Sequence, residues 1–312
     1  MSSNQREYES VIKFDIVKNR RKFFAFSVLI MVTGLVIMML MGLNLGVDFK
    51  AGTRLDILVG KEFKVEDVQQ TIKQSVPEIG FKDVTGYGTD GATTTFDQRV
   101  PREQLVALEA ALKAKYGEQV TTTESTVDPI VAEELVTKAG IALLIASVGI
   151  IIYIALRFQF LFGIACVIAL AHDVFIPIAL FSVFRLEVDL TFIAAILTIV
   201  GYSINDTIVI FDRIRENLRS MKVKTVEDLE HMVNVSLWQT MRRSFYTVAT
   251  VFFTALAIAV FGSEGIRNFS LALIFGLISG TYSSIFIAAQ VWVTLKKREM
   301  AKNRFKVTPN EG

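Results

Sequence analysis

One apolar run limits this chain more than any other stretch. It starts at Leu190 and continues for 22 residues to Phe211, with Asp206 as the one charged side chain inside it. About 20 apolar residues are what an α-helix needs to cross the hydrocarbon of a bilayer. A helix also satisfies every backbone polar group within its own segment, as lipid demands. Similar runs recur, and the expected spans are 23–43, 134–156, 160–184, 188–212, 241–262 and 267–295. The chain therefore reads as an α-helical polytopic membrane protein with six transmembrane helices. Of its 312 residues 52% are hydrophobic, and the mean hydropathy is +0.47. A soluble domain of ordinary composition is less apolar. The first run is too long for a signal h-region and no small-residue cleavage site clearly follows it, so it is expected to be a retained span.

Lysine and arginine near the span ends set the expected orientation. The tail 1–22 carries six of them, among them Arg6, Lys13, Lys18 and Arg20. Seven lie in 213–243 and six in the tail 296–312, whereas the two short loops opposite hold only Arg185 and Arg267. Both termini are accordingly expected on the cytoplasmic side, and the polar stretch 44–132 outside. That stretch is acidic on balance, and with a formal net charge of +2 for the whole chain nothing points to nucleic acid.

The outer stretch has its own pattern. Thr53–Val59 alternates as a strand, and Val65, Val68, Ile72 and Val76 have helical spacing. Phe81–Tyr87 and Thr93–Phe96 read as strands joined by a turn at Gly88-Thr89-Asp90-Gly91. Pro101 opens a helix that Gly117 ends, and Gln119–Thr123 reads as a last strand. The order β-α-β-β-α-β predicts an inserted α+β domain of the ferredoxin-like type, extracytoplasmic by the charge count. Such a fold serves many functions, so a movable binding domain and an inert spacer both stay open. Cys166, the single cysteine, reads as a packing residue. No metal-ligand spacing, glycine-rich phosphate loop or catalytic constellation is present, so no metal, cofactor or enzymatic activity is expected.

Between spans four and five, Thr225 and Asp228 match a capping box. Val226, Leu229, Met232, Val233 and Leu237 then share one face, with Trp238 near the end. The segment 213–240 is expected to hold an amphipathic helix on the inner membrane surface, or one packed on a partner subunit.

The chemistry is expected where polar groups enter the spans. A carboxylate among apolar residues is costly and is a functional candidate by default. Asp206, with Asn205 beside it, is the leading one. Arg243 near the start of span five has Thr247, Thr250 and Thr254 at offsets of four, seven and eleven, which places them on one helix face. Arg243 can then either face inward or snorkel to the interface. His172 and Asp173 sit half-way through span three, one turn before Pro177, which should free a backbone carbonyl. They form either a relay or a structural pair at a kink. Gly276 and Gly280 make a GxxxG pattern with Ser284 beyond it, which points to close helix packing; Gly201 either serves likewise or lets the backbone bend near Asp206. If Arg243 approaches and withdraws, Asp206 binds and releases a proton. One proton crossing the membrane supplies about 2.3 kcal/mol per 100 mV.

The stretch GYSINDTIVIFDRIREN, residues 201–217, closely resembles the fourth-span signature of the SecF branch of the SecD/SecF family of protein-export membrane subunits, within the resistance-nodulation-division superfamily. Gly46-Val47-Asp48-Phe49, Arg157-Phe158, His172-Asp173 and Gln239-Thr240-Met241-Arg242-Arg243-Ser244 are similar to further motifs of that branch, so the resemblance covers about 10–298. It implies a subunit that pairs with SecD, associates with the SecYEG channel, with YajC and YidC as further neighbours, and uses proton-motive force to promote preprotein translocation after SecA-driven steps. It implies a bacterial cytoplasmic-membrane location, and places proton passage on Asp206 and Arg243, with a matching aspartate on SecD. The chain departs from the family where Ala51-Gly52 replaces a Gly-Gly pair, and where Val127–Leu135 lacks the usual glycines. The alternatives are a proton-driven small-molecule or lipid exporter half of the same superfamily, and a scaffold that moves no protons.

Overall fold

The computed structural model describes residues 14–306, so Arg6 and Lys13 of the basic N-terminal tail lie outside the described residues. Helix α1, Arg20–Met41, is followed by the short strand β1, Asn44–Leu45, and a single turn, α2, Val47–Lys50. The inserted domain comes next: β2 Gly52–Leu58, α3 Val65–Ser75, β3 Thr85–Tyr87, β4 Gly91–Phe96, α4 Arg102–Tyr116 and β5 Thr121–Val127. The chain continues with α5 Pro129–Arg157, α6 Phe160–Val183, β6 Glu187–Val188, α7 Leu190–Ser220, α8 Val226–Phe261 and α9 Glu264–Ser283. A π-helical turn, Ser284–Ala288, joins α9 to α10, Ala289–Lys306.

Among the described residues six helical stretches are long and apolar enough to cross a membrane, the last running through α9, the π turn and α10. They differ in what surrounds them. The apolar windows of α6, α7 and the last stretch are 44%, 50% and 61% buried, whereas those of α1, α5 and α8 are 11%, 6% and 11% buried. The inner group therefore packs on itself, and the outer three turn most of their surface away from the chain. Gly276 is one reason α9 comes so close to α7: a Cβ there would lie 2.2 Å from Ile199 Cδ1. Gly280 faces Ser203 one turn on, at ordinary contact distance. Gly201, by contrast, meets nothing within 4 Å.

In the inserted domain the sheet order is β3-β4-β2-β5, with every neighbouring pair antiparallel. Leu55, Ile57, Val68, Ile72, Phe96, Leu108 and Leu112 fill its core. This follows from the alternation of Leu55 and Ile57 on β2 and from 3.6-residue spacing on the two helices, while the central β4 is buried along nearly its whole length. Phe81 belongs to an isolated bridge with Phe96 rather than to β3, because Val84 is the next residue to turn inward.

The stretch expected on the membrane surface is arranged differently. Helix α8 runs unbroken for 36 residues, about 54 Å at 1.5 Å per residue, so the segment before Met241 and span five are one helix. Thr225 and Asp228 do cap it reciprocally. Its apolar face is spent inside the chain: Leu229, Met232, Val233 and Leu237 are fully buried with Ile210, Phe211, Ile214 and Trp292. Helix α7 also continues past Asp212 to Ser220, and Asn217 donates to Ser236 Oγ at 2.8 Å and to Gln239 Oε1 at 3.0 Å. The two extensions form a hairpin that covers the ends of α6 and α10. Arg20 and Lys297 both donate to Glu230 Oε1, at 2.8 and 2.7 Å.

At the opposite end the inserted domain is tied to the helices by polar contacts. Strands β1 and β6 pair in parallel, Asn44 with Glu187 and Leu45 with Val188. Asp189 caps α7 by accepting from the Phe192 amide at 2.8 Å, and Asp48 Oδ2 accepts from the Leu190 amide at 2.9 Å. Ala51 is held at φ 62 and ψ 168. That is a region nearly reserved for glycine, and it lies where the Gly-Gly pair is replaced. Gly52, at φ +122, cannot be replaced without conflict: a Cβ would stand 2.2 Å from the Phe96 carbonyl oxygen.

Candidate functional site

Two aspartates meet in the middle of the helical bundle, and their surroundings differ. Asp173, on α6, is fully buried. Its Oδ2 accepts from Ser203 Oγ of α7 at 2.5 Å and from Ser283 Oγ of α9 at 2.6 Å. Its Oδ1 accepts from Ser279 Oγ at 3.2 Å, and His172 Nδ1 lies 3.2 Å away. Three helices thus converge on one carboxylate. Pro177, four residues on, has no amide to give the Asp173 carbonyl, so α6 lacks one rung at this level.

Asp206 lies on α7, one turn beyond Ser203. Ser244 of α8 and Ser284 of the π turn face its carboxyl, with Arg243 and Asp173 the charged groups that act on it. Among the described residues its buried Oδ2 has no hydrogen-bond partner, and neither has the buried hydroxyl of Ser244. Ser284 is engaged elsewhere: its hydroxyl and that of Thr207 are 3.0 Å apart. A small cavity between α7, α8 and α9, with room for about one water molecule, is lined by Tyr202, Ser203, Asp206, Val248 and Thr281 among others. The walls of this void are mainly apolar, with Ile199 and Leu277 among them, and an unsatisfied buried oxygen beside it is an arrangement that can take up a proton or a donor from another chain.

The junction of α9 with the π turn reaches both carboxylates: Ser283 donates to Asp173, while its neighbour Ser284 faces Asp206 and lies against Thr207. Such bulges are rare and concentrate at functional sites. Gln290, fully buried, donates through Nε2 to the Ile285 carbonyl at 3.3 Å and so satisfies part of the widened turn.

Of the residues nominated from sequence, the structure brings His172 and Asp173 together, and sets Asp206 near them. Asn205 and Thr247 face outward, and Arg243 is exposed on α8 at the rim of the site. Thr250 and Thr254 turn their hydroxyls back to carbonyls of their own helix. Ser203, Ser279 and Ser283 were not singled out. Their signal was three hydroxyls in otherwise apolar spans, with Ser279 and Ser283 one helical turn apart.

Residues 107–298 match the family model "Protein export membrane protein SecD/SecF, C-terminal", and residues 36–62 match "SecD/SecF GG Motif". The chain is 44% identical over 293 residues to protein translocase subunit SecF of Alicyclobacillus acidocaldarius, covering 93% of this chain and 95% of that one. It is 42% identical over 291 residues to protein translocase subunit SecDF of Bacillus subtilis, of which it spans 39%. The crystal structure of SecDF from Thermus thermophilus, described as a translocon-associated membrane protein, superposes with a TM-score of 0.79 at 31% identity, covering 91% of this chain and 39% of that one.

Proposed function

We propose a proton-coupled export role for this chain on the premise that it belongs, as a protein translocase subunit of the SecF type, to the SecD/SecF family of protein export membrane proteins. It is a multi-pass bacterial membrane protein. In the reading we favour, its partner is a SecD-type subunit, a pairing supported by the relatives in which both are one polypeptide. That partner covers the outward face of α7 and α8, where Tyr202, Phe245, Tyr246 and Phe253 are exposed. Asn205, Arg243 and Thr247 lie on the same two helices. The β-α-β-β-α-β order and the sheet order support a ferredoxin-like fold for the inserted domain, which faces outward while both termini face the cytoplasm. SecYEG, YajC, YidC and the translocating preprotein are the further partners of this reading.

The observation that carries the mechanism is the contrast between the two aspartates. Asp173 is saturated by hydroxyl donors, and Asp206 Oδ2 has none. Asp206 is therefore the group free to exchange a proton, and Asp173 ties the helices that frame it. Movement of α8 against α7 brings Arg243 toward Asp206 and takes it away again. Each approach favours the charged carboxylate, and each withdrawal into apolar surroundings favours the neutral acid. The proton's descent supplies about 2.3 kcal/mol per 100 mV of potential, and the inserted domain delivers the work on the outer side.

The test is a preprotein-release assay in energised vesicles containing the complex. Asp206→Asn and Arg243→Ala should each abolish the part of release that depends on proton-motive force while assembly with the partner is retained. A non-conducting scaffold tolerates Asp206→Asn, so full energised release in that variant would refute the mechanism.

A further inference from the structure

A second polar cluster lies outside the bilayer spans, where the inserted domain meets the start of α7. Arg54 reaches into it from β2. Its Nε is 3.4 Å from Asp56 Oδ2, its Nη1 is 3.9 Å from Asp189 Oδ2, and its Nη2 lies beside Gly265 at the start of α9. Asn268, one turn along α9, donates to the same Asp189 oxygen at 3.3 Å. Asp189 is the N-cap of α7, the helix that carries Asp206. One guanidinium of the inserted domain therefore reaches two of the three helices that wall the Asp206 site, α7 and α9.

Glu187 stands at the centre of this joint. It pairs with Asn44 across the β1–β6 bridge and packs so tightly on Gly46 that a Cβ there would lie 2.6 Å from Oε1. That oxygen is buried without a hydrogen-bond partner, and so is Arg54 Nε. The charged groups acting on Glu187 are Arg54 from β2, Lys82 from the loop before β3 and Asp189 from α7, together with the Val47 amide from α2. Lys82 is itself held by Asn44 Oδ1 at 3.0 Å. Arg54 Nε has Asp56 Oδ2 as an ion-pair neighbour but no hydrogen bond, so the joint holds two buried polar atoms, one donor and one acceptor, whose hydrogen bonds are not made among the described residues.

We infer that Arg54 and Glu187 are positioning residues for export: they tie the inserted domain to the Asp206 helix, and Glu187 makes the tie sensitive to protons on its own side of the membrane. Burial raises the Glu187 carboxyl above its ordinary value of 4.5, and Asp189 adds to this. Arg54 and Lys82 oppose it without cancelling it. The sign follows by linkage. A carboxyl whose pKa is raised in the docked arrangement favours docking when it is neutral, so docking is strongest at acid pH and weakens as pH rises through the raised value. A gradient that acidifies the outer side, the same gradient that drives protons through the bundle, thus holds the domain down. A less acid outer side releases it. This inference stands apart from the role given to Asp206, because it concerns local opening and not proton passage.

The test is hydrogen exchange on the full chain with its partner in lipid nanodiscs, following the amides of Leu45, Gly46 and Leu190 from pH 4, below the ordinary carboxyl value of 4.5, up to pH 8 and correcting for intrinsic rates. In wild type, protection should fall with rising pH, by up to ~10-fold per pH unit, the limit for one linked proton. Glu187→Gln, which keeps the shape and removes the charge, should hold protection at its acid level throughout. Arg54→Met should lower protection at every pH and leave the pH dependence in place. Flat protection in wild type, or an unchanged pH dependence in Glu187→Gln, would overturn the inference whatever Asp206→Asn does to export.

Discussion

Replacing Gly276 by alanine adds one methyl group at the tightest point between α9 and α7. Its Cβ would lie 2.2 Å from Ile199 Cδ1, 2.4 Å from Cγ1 and 2.7 Å from Cγ2. Ordinary contact begins at 3.4 Å, so the shortfall is about 1.2 Å. Ile199 cannot easily yield: it is β-branched, stiff at χ1, and 1% exposed within its own core cluster. The helices must separate or the side chain must leave its rotamer, and such overpacking costs about 1–3 kcal/mol. The assay is reversible unfolding of the purified chain in mild detergent. Ile199→Ala alone should cost about 2–5 kcal/mol through its cavity. The same substitution clears the space the new methyl needs, so the double variant should be less destabilised than the two costs added, by about 1–3 kcal/mol. Gly201→Ala serves as the control. It meets no atom within 4 Å and should be neutral or stabilising by up to about 1 kcal/mol through helix propensity. Additive behaviour of Gly276→Ala and Ile199→Ala, or equal effects at Gly276 and Gly201, would refute the close-approach argument.

The joint of the inserted domain gives the remaining predictions. Ala51→Gly should stabilise the chain by about 1 kcal/mol, because it relieves an alanine held at φ 62 and ψ 168; a fall in the unfolding midpoint would contradict this. Gly52→Ala should cost about 3 kcal/mol or more, since the new Cβ meets backbone rather than a movable side chain; a loss under about 1 kcal/mol by denaturant titration would count against it.

The parts of this molecule that are plain in the sequence are those where one property varies with a fixed period. Leu190–Phe211 announces a span because length and apolarity suffice, and Asp206 stands out because it is the one charge within. The order of strands and helices between Gly52 and Val127 is likewise carried by alternation and by turn residues. Spacing also placed Arg243 on one face with Thr247, Thr250 and Thr254. Periodicity tells which residues share a face but not where that face points, and here it points outward. The serines around Asp173 were hidden for another reason. A hydroxyl in a membrane helix can satisfy itself on a carbonyl of its own helix, as Thr254 does on Thr250, so its presence alone does not mark a network. The amphipathic face from Leu229 to Leu237 was visible, but the hairpin that buries it depends on α7 continuing past Asp212, and charged residues at that point read as the end of a span.

The π turn at Ser284–Ala288 sets the phase of everything after it. One added residue in a helix corresponds to a rotation of about 100°. In the phase it sets, Trp292 lies stacked on Phe162, centroids 4.6 Å apart at 14°, and Lys297 reaches Glu230. Were the turn to tighten into ordinary α geometry, α10 would swivel like a key, carrying the indole out of its slot and the ammonium off its acceptor. Any rearrangement around Asp206 and Asp173 that tugs on Ser283 and Ser284 thus has a ready lever on the far end of α10.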